Sequence, residues 1–123
     1  MMRQKQRYKR GDIILVAFPN SNLQSAKQRP ALVVQADGLN TGLAQIIVAM
    51  ITSNMTRSNH PSRITILLDS PEAKLAGLLT DSVVMTDNLA TVMEQAVTRI
   101  VGSMPMSQID AALRHTLGLA AQG

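Results

Sequence analysis

Two short stretches carry the residue types from which a site for an oxyanion can be built, Lys27-Gln28-Arg29-Pro30 and Ile51-Thr52-Ser53-Asn54. Arginine presents a planar, charged fork of N–H donors, and a threonine hydroxyl adds a short donor beside it. A cation next to a hydroxyl donor is what an oxyanion such as phosphate requires. Each stretch borders an apolar run: Ala31-Leu32-Val33-Val34 follows the first, and Ile46-Ile47-Val48-Ala49-Met50 precedes the second. If both runs are strands of one sheet, Arg29 and Thr52 meet at the same edge of it. Residue types alone leave two readings open, an anion site or a surface arginine with a strand-terminal threonine.

Other chemistries are poorly supplied. Gly38 and Gly42 have neither the spacing nor the lysine of a phosphate-binding loop. His60 and His115 stand far apart in sequence and the chain has no cysteine, so neither a metal site nor a disulfide is expected. Ser53 and His60 have the types of a nucleophile and its base, but no nearby carboxylate orients the imidazole. Tyr8 and Phe18 are the only aromatic residues, which leaves little for stacking on bases. No cofactor is implied.

The formal charge of +4 is unevenly spread. Arg3, Lys5, Arg7, Lys9 and Arg10 supply five of the twelve basic residues, so positions 11–123 hold seven basic against eight acidic groups. Within that nearly neutral body, Lys27, Arg29, Arg57 and Arg63 fall in a stretch whose one acid is Asp37. Such clustering creates a local positive field that attracts a polyanion, although it also suits a solvated face.

The elements that must position these groups are short. Ile13 to Phe18 is a continuous apolar run of strand length, closed by Pro19-Asn20-Ser21-Asn22, and a polar loop follows to Gln28. Pro30 is expected to begin the second strand, and Gln45 to Ile51 to form the third. Ser53 to Pro61 reads as a loop containing Asn54, Arg57 and His60. Alternation at Ile64, Ile66 and Leu68 predicts a half-buried strand. Ser70-Pro71 is positioned to cap a short helical turn that Gly77 ends. Ser82 to Thr86 and Val97 to Val101 are further strands. Ile109, Ala112, Leu113 and Leu117 share one helical face up to Gly118, with the start set either by Pro105 or by a Ser107-x-x-Asp110 cap. With 123 residues there is room for one core. We expect a basic, flexible N-terminal arm over 1–10, a single domain over 11–119 and a tail over 120–123. No run approaches the ~20 apolar residues of a membrane span, and no secretory signal is visible. The expectation is a mostly β fold with short helices, a small antiparallel barrel closed by a C-terminal helix, in a cytoplasmic protein.

Gly11-Asp12-Ile13, Phe18-Pro19 and Lys27-x-Arg29-Pro30-Ala31-Leu32-Val33-Val34 together resemble the N-terminal half of the MazF/PemK toxin family. The likeness continues through Ile51-Thr52-Ser53, Gly77-Leu78, Asp81-Ser82-Val83-Val84 and Leu113-x-x-x-Leu117-Gly118-Leu119. It implies an SH3-like, plasmid-maintenance-toxin barrel that forms a homodimer and cuts single-stranded RNA without metal. A 2′-hydroxyl would attack the adjacent phosphorus, leaving a 2′,3′-cyclic phosphate and a 5′-hydroxyl. An acidic antitoxin would neutralise it. The resemblance puts the catalytic arginine at Arg29 and the catalytic threonine at Thr52. Lys27, Gln28, Ser53, Asn54, Arg57 and His60 are the neighbours expected to bind substrate; the base is left unidentified, with His60 a candidate by chemistry alone. Arg29 is assigned phosphate clamping and proton donation to the leaving oxygen. The loop Ser21-Asn22-Leu23-Gln24-Ser25 departs from the family's Gly-Ser-Glu-Gln type, so base preference does not carry over. Two other readings compete: a same-fold toxin that poisons gyrase, which depends on a C-terminal Trp-Gly-Ile missing from Leu119–Gly123, and a silent partner-binding relative.

Overall fold

The computed structural model describes residues 7–19 and 26–120. Six antiparallel strands make one sheet in the order β4-β5-β3-β2-β1-β6. They are β1 (Asp12–Pro19), β2 (Ala26–Val33), β3 (Gln45–Thr52), β4 (Arg63–Ile66), β5 (Ser82–Met93) and β6 (Val97–Ser103). Two helices complete the fold, α1 (Pro71–Ala76) and α2 (Ser107–Leu117).

The continuous apolar runs arise because the central strands are buried on both faces. Side chains point alternately to opposite faces of a strand, and here each face meets its own core. Ile13, Leu32 and Ala49 enter one cluster, closed over by Ala73 and Ala76 of α1 and Ile109 of α2. Ile14, Val16, Ala31, Val33 and Val48 enter the other, which Val92 of β5 and half-buried Tyr8, Phe18 and Val97 cover. The sheet bends in β5. Ala49 pairs with Leu89 but Met50 pairs with Met85, so Thr86, Asp87 and Asn88 are extra residues in the ladder. Such bulges increase local bending and twist. This is why Asp87-Asn88, which read as the end of a strand, lies inside one that continues to Met93.

Buried polar groups tie the bend to α2. Thr86 Oγ1 donates to the Ser62 carbonyl at 2.6 Å and lies 2.7 Å from Thr116 Oγ1, which in turn donates to Ser62 Oγ at 2.7 Å. At its other end α2 is held by Arg10, whose guanidinium pairs with Asp110 at 2.6 Å and donates to the Val34 carbonyl at 3.0 Å. Of the expected flexible arm, positions 1–6 lie outside the described residues, whereas Tyr8 and Arg10 are docked on the body. The helix starts after Met106 with no side-chain cap, so neither sequence expectation for its start describes it. Gly118 ends it in the left-handed region, φ 70°. Ser70 caps α1 as expected, its hydroxyl accepting from the Ala73 N–H. Leu68, expected on the buried face of β4, falls in the following turn and is exposed.

Candidate active site

The site begins where two strands part. The β2–β3 ladder has three pairs, Ala31↔Met50, Leu32↔Ala49 and Val33↔Val48. The β1–β2 ladder continues much further, to Pro19↔Ala26. The next residue of β2 after the last β3 pair is Pro30, which has no N–H to donate. From there β2 keeps β1 on one side and has no paired strand on the other. Extending the broken register by two places would set Arg29 opposite Thr52. The two therefore flank the mouth of the gap. The strand starts at Ala26 rather than at Pro30, as the sequence predicted, because pairing with β1 supports the polar stretch Lys27–Arg29.

The gap opens into a groove of about 620 Å³. Lys27, Gln28, Arg29 and Pro30 of β2 line it, with Thr52 and Ser53 at the end of β3. Leu15 of β1 adds to the lining, the segment Gly77–Thr80 after α1 makes one wall, and Arg99, Ile100 and Val101 of β6 supply another. Two glycines allow the wall to sit there. A Cβ on Gly77 would lie 2.1 Å from the Val101 carbonyl oxygen, and one on Gly102 would lie 2.3 Å from the backbone of Ala76. Gly77 also has φ +69°, which side-chain-bearing residues rarely adopt.

Three cations, Lys27, Arg29 and Arg99, line the groove, and no carboxylate does so among the described residues. Lys27 and Arg29 are exposed, and neither makes an ion pair among the described residues. The Thr52 hydroxyl oxygen accepts the Asn54 N–H at 3.0 Å. That contact fixes the hydroxyl oxygen yet leaves its proton free to donate to a bound group. Gln28 is anchored by its carbonyl oxygen, which accepts from the Thr98 hydroxyl of β6. The small Ala17, opposite Gln28 on the intervening strand, leaves room for that reach.

The groove gathers Arg29, Thr52, Lys27, Gln28 and Ser53 but not Asn54, Arg57 or His60. Asn54 caps a short 3₁₀ turn, Met55–Arg57, its side chain accepting from the Thr56 N–H and hydroxyl. Arg57 sits exposed on that turn, and its carbonyl accepts from Arg63 at 3.2 Å. His60 Nδ1 accepts the Ser62 N–H at 3.1 Å, and its ring stands edge-on to His115 of α2, centroids 6.3 Å apart. These three share the loop after Thr52 in sequence, but the turn carries them towards β4 and α2. Arg63 also leaves the positive cluster, because it pairs with Asp87 at 2.8 Å. The Arg63 hydrogen bond holds the Asp87 carboxyl below the usual carboxylate range, and the same bond raises the pKa of Arg63. Sequence reasoning missed Arg99. Its signal was a lone charge in the β-branched run Val97–Val101, which read only as a further strand. The loop 20–25, whose sequence departs from the family type, lies outside the described residues.

A bent six-stranded antiparallel sheet with a C-terminal helix and a cationic groove is the architecture of the small toxin barrels. The profile of the PemK-like, MazF-like toxins of type II toxin-antitoxin systems matches residues 9–117, and the chain belongs to that family. It is 36% identical over 105 residues to Endoribonuclease MazF6 of Mycobacterium tuberculosis, covering 82% of this chain and 88% of that one. Endoribonuclease EndoA of Bacillus subtilis is 30% identical over 115 residues, covering 90% and 95%. Among solved structures, an endoribonuclease in complex with its cognate antitoxin from Mycobacterial species superposes with a TM-score of 0.68. The identity there is 22%, over 94% of this chain and 99% of the other, so that likeness bears on the fold.

Proposed function

We propose that this chain is an endoribonuclease toxin that cuts single-stranded RNA at the groove between β2 and β3. The observation that carries this reading is the parting of those strands, which leaves Arg29 and Thr52 flanking a cationic groove in a chain of this family. Cleavage proceeds by attack of a ribose 2′-oxygen on the adjacent phosphorus. The O2′–P bond forms and the P–O5′ bond breaks, giving a 2′,3′-cyclic phosphate and a 5′-hydroxyl. The phosphorane gains negative charge on its non-bridging oxygens. Arg29 clamps those oxygens, and Thr52, whose hydroxyl oxygen is already fixed by the Asn54 N–H, donates a hydrogen bond to one of them. Arg29 also stands as the proton source for the leaving O5′.

The groove lining contains no histidine or carboxylate among the described residues, and Asn20 to Ser25 has no ionisable side chain either. None of the described lining residues thus offers a general base for the 2′-hydroxyl proton. Absence of a carboxylate from the lining also removes the usual ligands for a divalent ion, so cutting is expected to proceed in EDTA. The protein acts in the cytoplasm as a homodimer, and an acidic antitoxin occupies the same cationic groove. Incubation of purified protein with varied single-stranded RNAs in EDTA tests the reading. Products ending in cyclic phosphate support it. Intact RNA across substrates, or undiminished cutting by Arg29→Ala, contradicts it.

A further inference from the structure

We propose that Arg99 forms a second phosphate subsite in the groove, gripping a phosphate that flanks the scissile one, beside an apolar bed for the attached nucleoside. The inference rests on the ribonuclease reading above and adds a residue that it does not use. Leu15 pairs with Pro30 on one side and with Arg99 on the other. Arg99 thus stands two strands away from Pro30, on the face that Leu15 and Pro30 share. Arg29, one residue away and opposite Val16, alternates to the other face but reaches the same groove at the open edge of β2. Opposed residues in an antiparallel ladder lie about 5 Å apart, so roughly 10 Å separates the backbone positions of Pro30 and Arg99, with Leu15 between them as a floor.

Three features favour a nucleotide at that end. Arg99 is exposed and makes no ion pair among the described residues. No carboxylate of the described lining competes for it. Beside it stand two large apolar side chains that a folded chain would ordinarily cover, Leu79 at 88% exposure and Ile100 at 46%. An anion holder next to an open apolar surface matches the two halves of a nucleotide, phosphate and base. It also compensates for the scarcity of aromatics, since an aliphatic surface buries a base face without stacking. The division of labour is then clear: Arg29 and Thr52 address the phosphate that reacts, and Arg99 holds the strand in register.

A residue that grips substrate and transition state alike changes KM, whereas one acting on the reacting phosphate changes kcat. The test measures cleavage kinetics for Arg99→Gln and Arg99→Lys, after melting curves establish that each is folded. In parallel, a 2′-deoxy analogue of the cut strand is titrated by fluorescence anisotropy across a salt series. Arg99→Gln is expected to raise KM about tenfold with kcat within about twofold. It is also expected to flatten the slope of log affinity against log salt by about 0.7, the loss of one single-strand phosphate contact. Arg99→Lys, which keeps the charge, should recover most of the affinity. An unchanged KM and salt slope overturns the proposal, as does a fall in kcat at constant KM. If Arg99→Gln binds RNA normally but loses affinity for a polyglutamate peptide, the cation serves a protein partner and the proposal is again overturned. Failure of the wild type to cut RNA would instead sink the ribonuclease reading, while anisotropy would still report on Arg99.

Discussion

Replacing Thr52 by valine removes one hydroxyl and keeps the shape of the side chain, so it isolates the donor assigned to the transition state. Two consequences follow from the structure. The Asn54 N–H loses its 3.0 Å acceptor, but Asn54 is exposed and its amide can turn to water. The stability cost is therefore within about 1 kcal/mol, at the low end for a lost hydrogen bond. Catalysis loses far more. A preorganised donor to a developing oxyanion contributes about 3–4 kcal/mol, or roughly 10²–10³ in kcat. Thr52→Val should thus melt within a few degrees of the wild type while its single-turnover cleavage rate falls by two to three orders of magnitude. Thr52→Ser, which keeps the hydroxyl but frees its rotation, should lose no more than about tenfold. End-labelled RNA sampled over time at saturating enzyme separates the chemical step from binding. Valine cutting as fast as threonine would refute the assignment, and so would serine failing as badly as valine.

Gly102→Ala should lower the melting temperature by roughly 5–10 °C, because its Cβ meets the backbone of Leu75 and Ala76 at 2.3 Å and overpacking costs about 1–3 kcal/mol. Calorimetry reads the shift, and an unchanged transition would contradict the close packing of α1 on β6. Thr86→Val removes the hydroxyl that joins Ser62 to Thr116; a loss of about 1–2 kcal/mol in urea unfolding is expected, with faster amide exchange at the end of α2. Arg63 depresses the pKa of Asp87 in the folded state, so the pair's contribution is complete above about pH 4, where the unfolded carboxyl is ionised. It disappears as pH falls through the lower folded value. Asp87→Asn should therefore be less stable than wild type near neutrality and converge with it in acid, and a stability gap that persists at low pH would contradict the pairing.

Much of the fold was legible because its cause is local. Apolar runs such as Ile13–Val16 and Ile46–Met50 announce strands buried on both faces, and Ser70 with Pro71 announces a capped turn. Burial periodicity also found α2. What escaped notice depends on pairing partners that a single chain does not display. The stretch Lys27–Arg29 has no apolar signal because one flank of its strand faces the groove, so the strand seemed to begin at Pro30. Asp87-Asn88 has turn composition because bulge residues leave the ladder. The candidate site was legible in its pair, Arg29 and Thr52, as the ends of two apolar runs. Its third wall was not, since β6 reaches the groove only through the ordering of strands around β1, and nothing near Arg29 in sequence points to Arg99. Conversely, Asn54, Arg57 and His60 follow Thr52 closely, yet one 3₁₀ turn suffices to carry them elsewhere.

The most direct test of the account is the chemistry of the cut ends. Single-stranded RNA incubated in EDTA with the wild type, Arg29→Ala and Thr52→Val, and resolved by mass spectrometry, should yield 2′,3′-cyclic phosphate and 5′-hydroxyl termini with the wild type. Both variants should yield almost none. Cleavage that requires a divalent ion, leaves a 5′-phosphate, or survives both substitutions would contradict a reaction carried out by Arg29 and Thr52 at the parting of β2 and β3.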